Sequence, residues 1–259
     1  MIKKIIKNSY DLNISVLIEK ADQAKGLAII LHGLGGFKEQ GHIATFAEAF
    51  KESGYTVLRF DATNSFNESE GQFEEASVTK HYQDLEDVIA WAKKQDWYIE
   101  PFVLVGHSLG GIAILLYTLN FPEQVKAVAP ISTVVSGKLR LEAYKMFLGE
   151  EHVKAWQKTG WYEYESFSKP GLIKRLPWSH MEDNLKYDIL TKADELKLPV
   201  LLIVGEHDTS TPFTHQQMLY EKLPGPKALY IIKGAAHTFY DQEYLAEIKQ
   251  IFKNWIKKI

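Results

Sequence analysis

The fold is decided by residues 102–119, FVLVGHSLGGIAILLYTL, in which a continuous apolar run typical of a buried strand passes into an apolar helix pattern. The joining residues 106–110, GHSLG, fit the pattern G-x-S-x-G, and Gly111 follows them. A serine on so sharp a turn needs strained backbone angles, and glycines two residues to either side leave room for them. Such a turn raises the Ser108 hydroxyl above the sheet, beside the N–H groups and the positive dipole end of the helix. The alternative is a glycine-rich turn that carries an inert serine.

A serine hydroxyl is a weak nucleophile and needs a base. Of the nine histidines, His237 directly follows the last strand pattern, in residues 234–237 (GAAH), where small residues favour a tight loop. We therefore predict that His237 is the base. The rivals are His207, which is too close to the end of its own strand, and His215, which falls in a surface-helix pattern.

The base in turn needs a carboxylate that holds its tautomer and stabilises the imidazolium. Asp208 lies just past the strand pattern 200–204, in the loop 205–212 (GEHDTSTP). The alternative for Asp208 is a turn or helix-capping aspartate, which is common in such loops. Glu206 is a second candidate, nearer the strand. We predict Asp208 as the acid that orients His237.

A tetrahedral intermediate needs N–H donors for its oxyanion. The backbone of Leu109, directly after the serine, is one candidate, and the loop 32–36 (HGLGG), which follows the strand pattern 26–31, supplies the other, for which we favour Leu34. This loop lacks both the G-K-[ST] ending and the G-x-G-x-x-G spacing, so a nucleotide-phosphate site is disfavoured.

Strand and helix patterns alternate through residues 1–133 and 191–259, which predicts an α/β fold with a mostly parallel central sheet flanked by helices. The alternation lapses over residues 134–190, where no buried strand pattern occurs, and we interpret this stretch as an inserted, mainly helical lid. Its aromatic residues either pack the lid onto the core or stack on an apolar or aromatic part of a substrate. The candidate pocket residues are Trp156, Trp161 and Tyr162.

Composition narrows the classes of function. The net charge of -3 disfavours a nucleic-acid partner, and no run approaches the roughly 20 apolar residues that span a bilayer. The absence of cysteine excludes disulfides, thiolate catalysis and cysteine-based metal sites, and it fits the reducing cytoplasm, where we expect the protein to act. We expect no metal and no cofactor. The oligomeric state is open.

The segments HGLGG, GHSLGG, GEHDTSTP and GAAH occur in the order typical of the α/β-hydrolase superfamily, which the chain resembles over nearly its whole length. The likeness is to small bacterial carboxylesterases, including cinnamoyl (feruloyl) esterases and monoacylglycerol lipase-like enzymes. It implies the α/β-hydrolase fold, hydrolysis of a small-molecule ester, an inserted lid and no cofactor. It also implies the roles assigned above to Ser108, Asp208, His237, Leu34 and Leu109.

The residues depart from that family in the segment 60–71 (FDATNSFNESEG), which lacks the glycines that members often carry at its centre. The predicted function is a serine-dependent hydrolase that cleaves carboxylic esters through an acyl-enzyme at Ser108, with an apolar or aromatic acyl or alcohol group. The alternatives are a thioester, amide or C–C bond hydrolase or an acyltransferase with the same triad, and a non-catalytic ligand receptor on this fold.

Overall fold

The computed structural model describes residues 1–165 and 171–259, and its centre is an eight-stranded sheet. The strands of this sheet are β1 (Ile2–Lys7), β2 (Asn13–Glu19), β3 (Leu27–Leu31), β4 (Thr56–Phe60), β5 (Phe102–His107), β6 (Val125–Ile131), β9 (Val200–Gly205) and β10 (Lys227–Ile232). Their order is β1-β2-β4-β3-β5-β6-β9-β10, in which β2 pairs antiparallel with β1 and with β4 and the other pairs are parallel.

Helices cover both faces of the sheet, as expected for strands that are buried on both sides. These helices are α1 (Gly41–Glu52), α2 (Val78–Ala92), α3 (Leu109–Asn120), α7 (Phe213–Lys222) and α8 (Gln242–Ile256). Two separate apolar clusters result, one under α1 and α8 and the other under α2, α3 and α7. The predicted α/β-hydrolase architecture is confirmed. None of the helices in the described ranges is both long and apolar enough to cross a bilayer.

The insertion lies between β6 and β9 and contributes Trp156, Leu176 and Met181 to a third small apolar cluster, which also contains Phe73 from outside the insertion. Its elements are α4 (Gly137–Leu148), α5 (Glu150–Thr159), β7 (Trp161–Glu165), β8 (Ile173–Pro177) and α6 (Trp178–Asn184). The helices were expected, but the sequence patterns did not indicate that β7 and β8 form an antiparallel hairpin. The side chains of β7 alternate between exposed and half-buried, so the hairpin has no buried apolar run to reveal it. Residues 166–170 of the predicted lid lie outside the described residues, and the lid bounds 134–190 stay a prediction.

The parallel strands position the site because their carboxyl ends meet at one edge of the sheet. Residues 32–36 follow β3, Ser108 follows β5, Asp208 lies in the loop after β9, and His237 lies in the loop after β10. The segments that the sequence singled out therefore converge at this edge, with the lid elements beside them.

Candidate active site

Ser108 occupies a strained turn between β5 and α3, with φ 55° and ψ −112°. Its N–H donates to the Ile131 carbonyl oxygen at 2.9 Å, which holds the turn against β6. A Cβ on Gly106 would lie 2.3 Å from the Gly110 carbonyl oxygen, and a Cβ on Gly110 would lie 2.5 Å from that of His32. Only glycine fits at these two positions, which explains the predicted G-x-S-x-G pattern.

The His237 imidazole reaches the serine. Its Nε2 lies 3.0 Å from Ser108 Oγ, so the hydroxyl can donate its proton to this nitrogen. The loop before it begins at Gly234, whose φ of 75° suits glycine and whose N–H donates to Glu206 Oε2 at 2.8 Å. The His237 carbonyl oxygen accepts a hydrogen bond from His107 Nε2 at 2.9 Å, and this bond holds the backbone of His237 in place.

Asp208 lies on the far side of the imidazole, buried, with its Oδ2 2.9 Å from His237 Nδ1. Its Oδ1 accepts the N–H groups of Ser210 and Thr211 at 2.9 and 2.8 Å, and the Thr211 hydroxyl lies 2.8 Å from Oδ2. Burial raises the pKa of Asp208, but the nearby His237 and the Thr211 hydrogen bonds outweigh it, so the net pKa lies below its ordinary value. Asp208 is therefore an ionised acceptor that directs the Nδ1 proton of His237 toward itself.

The rival residues lie elsewhere. Glu206 points its carboxylate at the Gly234 N–H and is exposed. His207 is also exposed, with 68% of its side chain accessible. His215 lies half-buried on α7, where burial and the nearby Arg140 lower its pKa, and it is not among the described residues that line the cavity at Ser108.

The loop 32–36 touches the serine directly, since a Cβ on Gly33 would lie 2.9 Å from Ser108 Cβ. His32 holds this loop: its Nδ1 lies 2.7 Å from the Gly33 carbonyl oxygen and its Nε2 accepts the Ala62 N–H at 2.9 Å. Leu109 is the first residue of α3, so its N–H has no acceptor one turn earlier in the helix. Leu34 lines the cavity beside Ser108. The two predicted oxyanion residues thus flank the serine.

A cavity opens above Ser108 and His237, between the loop 32–36 and the lid. Of the three predicted pocket residues, only Tyr162 lines it. Trp156 is buried behind the cavity wall and contacts Tyr144, Tyr162 and Trp178, because α5 turns this side chain into the lid cluster. Trp161 does not line the cavity: it is exposed and lies under the Arg175 guanidinium, because neighbouring residues of β7 point to opposite faces.

Four residues of the site were not predicted from the sequence. His107 and Thr211 lie inside motifs, in GHSLG and GEHDTSTP, but nothing in the letters shows that they contact His237 and Asp208. Arg140 and Lys174 line the cavity from α4 and β8, and no motif surrounds them. Among the described residues, no group of three or more His, Asp or Glu side chains is arranged to hold a metal ion.

Comparisons with known proteins give relatives that are all distant. The chain is 26% identical over 256 residues to the "Putative esterase/lipase 2" of Mycoplasma genitalium, covering 92% of this chain and 91% of that protein. It is 25% identical over 186 residues to the mitochondrial "Palmitoyl-protein thioesterase ABHD10" of Mus musculus, covering 72% of this chain and 60% of that protein. Among solved structures, that of Est1E from Butyrivibrio proteoclasticus with bound ferulic acid superposes with a TM-score of 0.79, at 21% identity and 98% coverage of both chains.

A family profile described as "Serine aminopeptidase, S33" (Hydrolase_4) matches residues 22–163, more than half of the 259-residue chain. The match includes the loop 32–36 and the turn at Ser108. Together with the fold and the resemblance seen in the sequence, this match establishes that the protein belongs to the Hydrolase_4 family of α/β-hydrolases and is a serine hydrolase.

Proposed function

We propose that the protein hydrolyses carboxylic esters, with Ser108 as nucleophile, His237 as general base and Asp208 as the acid that orients it. The observation that carries this proposal is the continuous chain of contacts from Ser108 Oγ to His237 Nε2 at 3.0 Å and from His237 Nδ1 to Asp208 Oδ2 at 2.9 Å. Both distances suit proton transfer and hydrogen bonding without a rearrangement.

The reaction follows from this geometry. Ser108 Oγ attacks the ester carbonyl carbon while its proton passes to His237 Nε2, and the backbone N–H groups of Leu34 and Leu109 stabilise the resulting oxyanion. Collapse of the tetrahedral intermediate breaks the bond to the alcohol oxygen, which takes the proton from His237 as it leaves. Water then attacks the acyl-enzyme, giving its proton to the same nitrogen, and the acid is released as Ser108 regains a proton.

The cavity favours an ester over an N-terminal peptide substrate. An aminopeptidase has to bind a substrate ammonium group, which calls for acidic side chains near the nucleophile. Within residues 1–165 and 171–259, the side chains that line the cavity include Arg140 and Lys174 but no Asp or Glu. Positive charge in the cavity would repel the ammonium group of such a substrate. The cavity therefore disfavours aminopeptidase activity, even though the description of the family profile names a serine aminopeptidase.

Aromatic rings in the cavity support an apolar or aromatic group on the substrate. Tyr144, Tyr162 and Tyr164 line it, and the last two stack at 5.1 Å between ring centroids. The ferulic acid bound to the structurally similar Est1E and the name of the Mycoplasma esterase/lipase relative agree with this choice. The thioesterase name of a further relative makes a thioester the second substrate class to test.

The test is hydrolysis of 4-nitrophenyl esters by the protein and by its Ser108→Ala variant. We expect the variant to lose activity by a factor on the order of 10⁶, because removal of the nucleophile disables the triad as a unit. Ser132→Ala is the matched control, since this serine follows β6, has a φ of 43° and is buried, yet its hydroxyl has no hydrogen-bond partner among the described residues. If the Ser108→Ala variant hydrolysed the 4-nitrophenyl esters as fast as the wild type, the proposal would be wrong.

The Ser108→Ala variant also separates the alternatives. Labelling of wild type but not of Ser108→Ala by a fluorophosphonate is expected for an enzyme and excludes a pure ligand receptor. A comparison of matched acyl esters and acyl thioesters then decides between the two substrate classes, and product partition in the presence of an added alcohol reveals acyl transfer.

A further inference from the structure

Arg140 presents a guanidinium group to the cavity from α4. One terminal nitrogen donates to the Ser210 carbonyl oxygen at 2.6 Å and the other to the Tyr144 hydroxyl at 3.2 Å, while the group lies 4.5 Å from the centroid of the Tyr144 ring. These contacts use two of its five N–H donors, and the groups they reach are neutral. The contacts fix the guanidinium without cancelling its charge.

Lys174 brings a second cation to the cavity from the lid hairpin. Its side chain is buried, and its ammonium lies 5.4 and 5.5 Å from the ring centroids of Phe66 and Phe73, which stack on each other. The ammonium is 2.7 Å from the point where a Cβ on Gly35 would lie. The lid thus holds a cation directly against the loop that contains Leu34.

The charged side chains that line the cavity within the described ranges are cationic, since no Asp or Glu is among them. The buried Asp208 carboxylate is engaged by His237 and Thr211. A charged group is stabilised more strongly by an opposite charge in a partly desolvated cavity than in water, so the lining selects for negative charge.

We propose that the substrate is an ester carrying an anionic oxyacid group, such as a carboxylate, which Arg140 and Lys174 bind while Ser108 attacks the ester. This inference rests on the proposed function and names its substrate class. The anionic group can belong to the acyl part or to the alcohol part of the ester, and the two sources are distinguished by matched substrates.

The test uses two pairs of esters that differ by one charge. For the acyl side, 4-nitrophenyl hydrogen adipate is compared with 4-nitrophenyl hexanoate, which has the same chain length. For the alcohol side, 4-(hexanoyloxy)benzoate is compared with its methyl ester. We expect the anionic member of one pair to have a kcat/KM about tenfold higher than its neutral partner, and that pair identifies the side that carries the charge.

Variants assign the preference to the two cations. Lys174→Met and Arg140→Gln keep most of each side chain's volume but remove its charge, and each is expected to lower the ratio of anionic to neutral kcat/KM toward one. Lys138→Met is the matched control because it removes an exposed lysine from the same helix as Arg140, and it should leave the ratio unchanged. Independently of any variant, raising the ionic strength should lower the wild-type ratio.

The outcomes are separable. If the neutral esters are hydrolysed in a Ser108-dependent way and neither anionic ester is preferred, the anionic substrate class is wrong and the ester hydrolase stands. A preference that Lys138→Met abolishes as fully as Lys174→Met would also overturn the assignment. If none of the four esters is turned over and the fluorophosphonate does not label Ser108, the proposed function fails and this inference fails with it.

Discussion

The backbone conformation of Ser108 depends on neighbouring glycines, which have no side chain. Its backbone is held at a positive φ, and the space that this geometry needs is available because positions 33, 106 and 110 are glycine. A Cβ at Gly33 would overlap Ser108 itself, whereas Cβ atoms at Gly106 and Gly110 would strike backbone oxygens that cannot move away. Strain at Ser108 is thus maintained by the packing of two glycine-containing loops against each other.

Asp208→Asn tests whether the carboxylate sets the tautomer of His237. The Ser210 and Thr211 N–H groups will hold the amide oxygen of the asparagine, which turns its NH₂ group toward His237 Nδ1. His237 then carries its proton on Nε2 and cannot accept one from Ser108. We expect kcat for a 4-nitrophenyl ester to fall on the order of 10⁴-fold with little change in KM, measured by steady-state kinetics.

Glu206→Gln is the matched control for this change, because it converts a carboxylate of the same loop to an amide without facing the imidazole. It should retain activity within about twofold. If Glu206→Gln were the more damaging of the two, the acid would have been assigned to the wrong carboxylate.

The proximity of Ser108, Asp208 and His237 could be predicted from the sequence because each one follows a strand, and strand ends of a parallel sheet converge. Their supporting residues could not. His107 contacts the His237 carbonyl oxygen, which lies 130 positions away in the chain. The Thr211 hydroxyl lies near His237 Nδ1, which is 26 positions away. Such contacts depend on side-chain directions that a motif does not encode.

At the scale of elements, the buried strands and helices were predictable and the lid hairpin was not. β3, β5 and β9 are fully buried along their whole length and are almost entirely apolar, so their patterns are unambiguous. β7 reads WYEYE and β8 reads IKRLP, and their pairing depends on contacts within the lid rather than on a strong local preference. Because side chains alternate along β7, Tyr162 lines the cavity while the adjacent Trp161 faces away, and without the strand this difference could not be predicted.

Trp156→Ala tests the role of the lid cluster. The indole is 2% exposed and contacts Tyr144, Tyr162 and Trp178, so its removal leaves a cavity that costs about 3–5 kcal/mol of local stability. Because this cluster is separate from the two clusters of the sheet, we expect the lid to loosen while the core stays folded. Limited proteolysis should cut the lid faster, and kcat/KM should fall with little change in Tm.

Trp161→Ala is the control for that experiment, since it removes an equal volume from the exposed face of the same insertion. It should leave both proteolysis and kcat/KM close to those of wild type. Equal effects of the two variants, or a Trp156→Ala variant that unfolds throughout, would show that the lid is not a separate stabilised unit.

For the molecule as a whole, the histidines determine how stability depends on pH. Burial lowers the pKa of the half-buried His215 and of five buried histidines, to about 3 for His107 and about 4 for His180, so it disfavours their protonation in the folded protein. The buried set comprises His32, His42, His81, His107 and His180. In the unfolded chain each binds a proton near pH 6.5. The stability that they contribute is therefore present above about pH 6.5 and is lost as the pH falls toward their folded pKa values.

One buried carboxyl opposes this trend. Burial raises the pKa of Asp84 to about 6, so its ionisation disfavours the folded state, and this penalty is relieved as the pH falls through about 6 toward about 4. A single carboxyl offsets only part of the effect of five histidines. The net slope of stability against pH is therefore set by the histidines.

We expect the free energy of unfolding to fall between pH 7 and pH 5, with net uptake of protons on unfolding, measured by urea denaturation at a series of pH values. His81→Leu should reduce the pH dependence by about one proton, because it replaces a buried histidine with an apolar side chain. His207→Gln removes an exposed histidine and should leave the slope unchanged. Stability that stays constant down to pH 5 would mean that the buried imidazoles reach water or a proton acceptor in the folded state.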